Sequence, residues 1–219
     1  MFSKSFFDDR EDAGRQLVHE LTSRQDLKLS EKPIVLGLPR GGVPVAAEVA
    51  QALNADLDVL VVRKLGVPFR PELAMGAVGE EGITVLNSRI IEHAEISETQ
   101  QEEVIRQQRH EVAQRVLRFR PEGHKPLPLQ GRTTIIVDDG VATGATAQVA
   151  GNIARARGAD WVVLAIPVAP YTVFQHLVAS DAFDVVVCLF SLTRFHSVGA
   201  YYRDFAQVSD AEVRHILGA

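Results

Sequence analysis

Short apolar runs alternate with amphipathic stretches along most of the chain. The apolar runs have the length of β-strands, and most are followed by a stretch of helical period. Strands are predicted at 33–38, 57–62, 83–86, 133–137, 161–166 and 184–189. Helices are predicted at 13–21, 44–53, 97–119, 145–157, 170–178 and 210–217. Strands that are apolar on both faces and alternate with helices are typical of a covered parallel sheet. The pattern therefore predicts an α/β protein with a mainly parallel, twisted sheet flanked by helices.

The segment 97–119 stands apart because it is long, highly charged and rich in glutamine. Its apolar stripe is thin, which indicates a surface helix that lies over another part of the molecule. The region around it, at about 88–131, is the plausible inserted unit. We therefore expect a single domain over 1–219 with a helical insertion at about 88–131. At the start of the first helix, Asp12 is the predicted N-cap.

Composition and charge narrow the class of protein. The chain has 219 residues, 46% of them hydrophobic, and a formal net charge of -5. It can therefore form an ordered core, and its negative charge argues against a general nucleic-acid binder. Cys188 is the single cysteine, so an internal disulfide is excluded and a reducing cytoplasm is the expected location. No apolar run reaches the length of a membrane span, so no membrane partner is expected.

The predicted strand at 133–137 leads into two acidic residues and a loop of small and hydroxyl side chains. Asp138 and Asp139 can accept hydrogen bonds from a vicinal diol. The backbone N–H groups and hydroxyls of 141–146, at the start of a helix near Ala145, can hold a phosphate group. A diol next to a phosphate describes ribose 5-phosphate. The alternative is that the acids only begin a turn and cap the helix. A Walker A loop is excluded because it would need a lysine here.

Two further loops leave strands at the edge where the carboxyl ends of parallel strands meet, which is where open sheets bind ligands. Arg40, Gly41 and Gly42 follow the first strand and combine a forked cation with a backbone that a ligand can approach closely. Arg63 and Lys64 follow the second strand and add two cations. For both loops, a simple turn with solvated basic side chains remains the alternative.

The segment 135–146 reads Ile-Ile-Val-Asp-Asp-Gly-Val-Ala-Thr-Gly-Ala-Thr and resembles the signature of the type I phosphoribosyltransferases. The resemblance implies the fold of that family and the substrate phosphoribosyl diphosphate (PRPP). It also implies that Asp138 and Asp139 contact the ribose hydroxyls, while the 141–146 loop holds the 5′-phosphate. The PRPP-binding residues expected in this way are Pro39, Arg40, Gly41, Gly42, Arg63, Lys64, Asp138, Asp139, Val141, Ala142, Thr143, Gly144, Ala145 and Thr146.

By the same resemblance, Arg40, Lys64 and Asp139 are the expected catalytic residues. The loop at 39–41 is expected to hold a strained or cis peptide bond. Residues 65–82 are rich in glycine and proline and are expected to form a mobile flap over the pyrophosphate. Mg²⁺ is the expected cofactor, held mainly through PRPP, and no direct protein ligand is assigned to it.

The base that accepts the ribose phosphate is not predicted. Enzymes of the hypoxanthine-guanine type usually carry aspartate at the position of Ala142, so this residue argues against a purine acceptor. The acceptor pocket is expected under a small hood built from the N-terminus, the insertion and 195–219. The candidate acceptor residues are Tyr201, Tyr202, Arg203 and Asp204. The alternative is that the tyrosines only seal the core.

Together these features predict an enzyme that transfers ribose 5-phosphate from PRPP to a nitrogenous base or related acceptor and releases pyrophosphate. The expected partners are small molecules, and the resemblance also implies a homodimer. One alternative is a non-catalytic regulator that senses PRPP or a nucleotide on the same fold. Such sensors usually lose the basic flap or gain a DNA-binding segment, whereas this chain keeps Arg40, Arg63 and Lys64. An accessory domain that binds a nucleotide without turnover is the other alternative.

Overall fold

The structure, a computed structural model, describes residues 6–120 and 125–218, with the side chain of Glu72 excepted. Residues 1–5 and 219 of the predicted hood and residues 121–124 of the predicted insertion lie outside the described residues. The strands are β1 (Ile34–Gly37), β2 (Asp56–Val59), β3 (Val62–Val67), β4 (Arg70–Gly79), β5 (Thr84–Leu86), β6 (Thr133–Val137), β7 (Trp161–Pro170) and β8 (Val185–Leu192). The α-helices are α1 (Arg10–Ser23), α2 (Gly42–Leu53), α3 (Ser88–His93), α4 (Glu98–Phe119), α5 (Ala145–Ala156), α6 (Tyr171–Val178) and α7 (Asp210–Ile216).

Five strands form a parallel sheet in the order β2-β1-β6-β7-β8. Successive residues of β1 enter two separate hydrophobic clusters, one shared with α5 and the other with α1 and α2. Every residue of β1 and β6 is therefore buried. The predicted α/β architecture with a parallel sheet between helices is confirmed. Gly37 at the end of β1 lies beside both Val59 and Val137, so the loops that follow these three strands leave the same edge.

A second sheet corrects the predictions for the region between β2 and α3. The strand predicted at 57–62 is divided, because β2 ends at Val59 and β3 begins at Val62. Residues 65–82, for which a mobile flap and no strand was predicted, lie mostly in an antiparallel sheet of order β3-β4-β5. The strand predicted at 83–86 is present, but it pairs with β4 and not with the parallel sheet.

Side-chain burial explains why this glycine- and proline-rich segment forms regular strands. Pro68 and Phe69 make the turn between β3 and β4, where a missing backbone N–H does not interrupt strand pairing. Leu65 and Met75 are completely buried, and they pack in a hydrophobic cluster that also contains Val112 of α4. The segment therefore has a hydrophobic face of its own, and helix α4 covers that face.

The helix ends follow local capping chemistry. Asp9 is the N-cap of α1, and its side chain accepts a hydrogen bond from the backbone N–H of Asp12. The prediction of Asp12 as the cap is therefore wrong, since Asp12 lies in the first turn. Helix α4 begins with a capping box between Ser97 and Gln100 and is otherwise largely exposed, which confirms the predicted surface helix. Among the described residues, no helix is both long and apolar enough to cross a membrane.

Candidate active site

The loops after β1 and β6 touch each other at the edge of the parallel sheet. The backbone N–H of Leu38 donates to the carbonyl oxygen of Val137 over 2.8 Å. A Cβ atom at Gly41 would overlap the Asp139 carboxylate, and one at Gly42 would lie 2.5 Å from the Val137 carbonyl oxygen. Only residues without a side chain allow this approach. The two glycines that were predicted to admit a ligand therefore also bring the basic loop against the acidic pair.

Burial and mutual repulsion determine the protonation of the acidic pair. Burial raises the pKa of Asp138 well above its ordinary value, and the neighbouring charge of Asp139 raises it further. Burial also raises the pKa of Asp139, while the guanidinium of Arg10 opposes this shift. Two adjacent carboxylates in a partly enclosed site thus favour holding a proton until a ligand or a cation arrives.

Arg10 is a site residue that the sequence analysis missed. Its Nε and Nη2 atoms each lie 2.9 Å from Oδ2 of Asp139, and both side chains of this pair are almost fully buried. Nη1 donates to the carbonyl oxygen of Ala206 over 2.7 Å, and the guanidinium lies 4.0 Å from the centre of the Phe205 ring. Because 129 residues separate Arg10 from Asp139, no local pattern could have linked them.

The loop before α5 presents hydrogen-bond donors to solvent. Ala142 and Thr143 are exposed, whereas Val141 is buried and its N–H donates to the carbonyl oxygen of Val168 over 2.9 Å. Gly144 has φ +80°, a conformation that favours glycine, and it directly precedes the first turn of α5. The first N–H groups of a helix lack partners within the helix and carry partial positive charge. The predicted phosphate loop thus has the geometry of an anion site.

Arg40 and Arg63 are held by neighbouring helices. Arg63 and Lys64 were predicted in a loop after the second strand, but they lie in strand β3 itself. The Pro39–Arg40 peptide bond is cis, which confirms the expectation for this loop. Nη1 of Arg40 lies 3.3 Å from Oδ1 of Asp210 at the start of α7. Nε of Arg63 donates to Oε1 of Gln108 on α4 over 3.1 Å. Helices α4 and α7 therefore orient two of the predicted cations.

A cavity of about 520 Å³ lies between these loops. It collects residues from the loop after β1, from β3, from helix α4 and from the start of α5. They include Pro39, Arg63, Lys64, Gln108, Arg115, Ala145 and Thr146. Asp138 and Asp139 do not line it. They lie close to it, however, because Asp139 contacts Gly41, two residues after the lining residue Pro39. A second cavity of about 800 Å³ shares Lys64 and Ala145 with the first and extends between β4 and α6. Residues predicted from three separate motifs thus surround one space of ligand size.

A buried ion network supports the chain between β2 and β3. Nε of Arg120 lies 2.8 Å from Oδ1 of Asp58, its Nη1 pairs with Glu80, and its Nη2 donates to the carbonyl oxygen of Val59 over 2.7 Å. The backbone N–H of Val61 donates to Oε1 of Glu80 over 2.8 Å. Burial raises the pKa of Glu80, although Arg120 opposes this. The network fixes the backbone immediately before Arg63, and the sequence analysis did not detect it.

The four candidate acceptor residues lie in different environments. Tyr201 and Tyr202 are buried among aromatic rings of the N-terminal segment, and the hydroxyl of Tyr202 donates to the carbonyl oxygen of Asp139 over 2.6 Å. Arg203 is exposed and lies 3.5 Å from Asp8, and Asp204 is also exposed. The tyrosines thus seal a hydrophobic cluster beside the acidic pair, and the acceptor role of all four residues remains a prediction.

Comparison with known proteins identifies the family. The family model described as phosphoribosyl transferase domain matches residues 10–172, which includes Arg10 and all three loops. The chain belongs to the phosphoribosyltransferase family. The phosphoribosyltransferase signature at 135–146 is thus confirmed as a family resemblance, and the α/β fold is that of the type I enzymes.

Two curated relatives and one solved structure extend this comparison. The relatives come from two strains of Mycobacterium tuberculosis, CDC 1551 / Oshkosh and H37Rv, and are named as presumed phosphoribosyl transferases. Each is 52% identical over 208 residues, which is 94% of this chain and 45% of the relative. This phosphoribosyltransferase chain therefore spans about half the length of the curated relatives. The crystal structure of TT1426 from Thermus thermophilus is 42% identical, covers 96% of this chain and 97% of its own, and superimposes with a TM-score of 0.84.

Proposed function

We propose that the protein is an enzyme that transfers the ribose 5-phosphate group of PRPP to a nitrogenous base or related acceptor and releases pyrophosphate. The observation that carries this proposal is the contact between the loops after β1 and β6, in which Gly41 lies against the Asp139 carboxylate. The loop that carries Arg40 is thereby held against the acidic pair, and both loops adjoin a ligand-sized cavity through Pro39, Ala145 and Thr146. Few ligands need both, and PRPP is one of them.

The chemical groups around the site match those of PRPP. The donors of Thr143, Ala145 and Thr146 suit the 5′-phosphate, since these residues are exposed and stand at a helix N-terminus. The carboxylates of Asp138 and Asp139 suit the ribose 2′- and 3′-hydroxyls. The cations of Arg40, Arg63 and Lys64 suit the pyrophosphate, with Arg40 and Lys64 acting on the leaving group. Asp139, the third proposed catalytic residue, would hold the ribose next to the reacting carbon.

The proposed reaction exchanges one bond at C1 of the ribose. The bond between C1 and the pyrophosphate oxygen breaks, and its electron pair leaves with pyrophosphate. C1 gains oxocarbenium character, as in glycoside hydrolysis. The acceptor nitrogen then bonds to C1 and releases its proton. The residues of this chain align the two reactants, neutralise the leaving group and exclude water, and none of them forms a covalent bond.

The two adjacent carboxylates of the site are suitable ligands for Mg²⁺ as the cofactor. Asp138 and Asp139 provide adjacent carboxylate oxygens, which are the ligands that Mg²⁺ prefers, and their raised pKa values indicate that a nearby cation is favourable. Among the described residues, no group of three or more histidine, cysteine or acidic side chains is arranged to hold a metal. We therefore propose that Mg²⁺ is held mainly by PRPP, where it supplies charge neutralisation to the pyrophosphate.

Pyrophosphate release from PRPP tests the proposed function. The protein is incubated with PRPP, Mg²⁺ and a panel of nucleobases and small amines, and pyrophosphate is measured over time. Release that depends on one acceptor supports the transferase and identifies its second substrate. Tight binding of PRPP without release for any acceptor favours the non-catalytic sensor. If PRPP does not bind, the proposal is wrong.

A further inference from the structure

Helix α4 contributes an arginine to the cavity that the proposed reaction has not yet used. Arg115 lines the cavity together with Pro39, Arg63 and Thr146. It lies seven residues, or about two helical turns, after Gln108, which lines the same cavity. Residues seven apart share one face of a helix, so α4 forms a wall of the site. This wall belongs to the region that the sequence pattern marks as an insertion.

Arg115 stands among positive charges. Partial burial lowers the pKa of its guanidinium, and the charges of Arg63, Arg118 and Arg40 lower it further, while Glu111 acts in the opposite direction. Within the described part of the chain, the side chain of Arg115 makes no hydrogen bond and no ion pair. Its guanidinium therefore has five donors available to a ligand.

The neighbouring groups leave this positive charge only partly compensated. Arg63 is bonded to Gln108, which is neutral, and Arg40 has one acidic partner, Asp210 at 3.3 Å. Like charges around one cavity repel each other, which raises the free energy of the ligand-free protein. A bound anion offsets this repulsion. A diphosphate carries more negative charge than a monophosphate and offers more oxygens to forked cations. The cluster therefore favours a diphosphate.

We propose that Arg115 binds the pyrophosphate end of the substrate, so that helix α4 closes the leaving-group side of the site. Gln108 acts as a positioning residue, because it holds Nε of Arg63 and so directs that guanidinium into the same space. Anchoring of α4 by Arg120, five residues after Arg115, keeps this wall in place. The inference rests on the proposed function and assigns to it a pyrophosphate ligand outside the three predicted loops.

Equilibrium binding of separate substrate fragments tests the inference. Titration calorimetry with Mg²⁺ present measures the affinities of the full chain for PRPP, pyrophosphate and ribose 5-phosphate. For Arg115→Gln we expect binding of PRPP and pyrophosphate to weaken about tenfold or more, as for a lost charge-assisted contact, with ribose 5-phosphate unchanged. Arg115→Lys keeps the charge but loses the fork, so an intermediate affinity is expected.

Arg106→Gln is the matched control on the same helix. Arg106 is 74% exposed, pairs with Glu103 and does not line the 520 Å³ cavity, so its substitution removes the same net charge without removing a cavity side chain. Equal losses in Arg106→Gln and Arg115→Gln would mean a general electrostatic effect and would overturn the inference. Unchanged pyrophosphate binding in Arg115→Gln, with wild-type protein that binds PRPP, overturns the inference but leaves the proposed function. If the wild-type protein binds pyrophosphate but not PRPP, the proposed function is wrong, but the inferred anion site stands. If the wild-type protein binds neither PRPP nor pyrophosphate, both the proposed function and the inference are wrong.

Discussion

Asp138 and Asp139 are two acidic residues whose burial is unfavourable for the folded protein when both are charged. Their carboxylates are adjacent and largely enclosed, and only Asp139 has an arginine partner. Burial and the charge of Asp139 hold the pKa of Asp138 far above its ordinary value of 3.8. The folded protein therefore binds this proton more tightly than the unfolded chain does. The stability of the folded state falls as the pH rises from 3.8 through the raised pKa, and the loss is complete above it.

We expect Asp138→Asn to stabilise the ligand-free protein at pH 7. The amide keeps the shape and the oxygen that accepts from the N–H of Asp139, but it carries no charge. The gain should be on the order of 1–2 kcal/mol at neutral pH and should shrink toward pH 4. Thermal unfolding between pH 4 and pH 8 measures it. Asp26→Asn is the control, because Arg24 lowers the pKa of this exposed carboxyl and no stabilisation is expected. A gain that does not depend on pH would contradict the explanation.

Arg40→Ala should lower turnover far more than stability. The side chain is about one-third exposed, and its ion pair with Asp210 is of the kind that contributes little to folding. Loss of a well-placed cation at the leaving group should raise the barrier by roughly 3 kcal/mol, or about a hundredfold in rate. Steady-state release of pyrophosphate from PRPP, once an acceptor is known, measures this effect. Asp210→Asn removes the acidic charge but keeps the arginine and an oxygen that can accept from it, so turnover should fall much less than in Arg40→Ala. Normal turnover in Arg40→Ala would remove the assigned role.

At the scale of elements, the antiparallel sheet β3-β4-β5 depends on helix α4 and on Arg120. The helix covers the hydrophobic face of the sheet, and Arg120 joins its end to Asp58 and Glu80. These two acids flank the turn between β2 and β3, since Glu80 also accepts from the N–H of Val61. The network thus holds the start of β3, and with it Arg63, in place, although none of its members lines the 520 Å³ cavity.

Arg120→Met should destabilise the protein by about 3–5 kcal/mol, because it leaves two buried carboxylates without a cation. Urea unfolding at pH 7 measures the loss. Protonation can relieve the unpaired acids, so the loss should be smaller at pH 5. The triple variant Arg120→Met, Asp58→Asn, Glu80→Gln removes the charges together and should recover much of the stability. If the triple variant is less stable than Arg120→Met alone, the buried unpaired carboxylates are not the reason why Arg120→Met is destabilised.

At the scale of the whole molecule, the sequence predicts what is local and misses what is distant. The segment 133–157 is predicted well, because a buried strand, a loop of small and hydroxyl residues and an amphipathic helix each leave a pattern within a few residues. The antiparallel sheet is missed, since glycines and prolines indicate flexibility, although one proline lies in the turn. Arg10, Arg115 and Arg120 are missed for a different reason. Each is an ordinary charged residue on a helix or at its end. Only folding brings Arg10 to the acidic pair, Arg115 to the cavity and Arg120 to Asp58 and Glu80.

Folding also brings the N-terminal segment and the segment around Tyr202 together beside the acidic pair. Phe7 pairs with Tyr202, whose hydroxyl donates to the backbone of Asp139, and burial raises the pKa of that hydroxyl. Two ion pairs hold the N-terminal part of the chain, one to the loop after β6 and the other to the segment around Tyr202. Arg10 meets Asp139 in a nearly buried environment, whereas Arg203 meets Asp8 with both side chains more than 70% exposed. The two pairs therefore offer a comparison between a screened and an enclosed interaction within one structure.

A double-mutant cycle on each ion pair measures its coupling free energy, and we expect different values for the two pairs. For Arg10→Met, Asp139→Asn and their combination, we expect a coupling free energy of about 3 kcal/mol, because removal of Arg10 alone leaves two adjacent carboxylates uncompensated. Without Arg10 the pKa of Asp139 should rise further, so the loss of stability should be greater at pH 8 than at pH 5. For Arg203→Met and Asp8→Asn we expect a coupling close to zero, since water and salt screen that pair. Equal couplings for the two pairs would mean that Arg10 is an ordinary surface contact. A large coupling only for Arg10 and Asp139 would mean that the N-terminal helix stabilises the acidic pair in the absence of ligand.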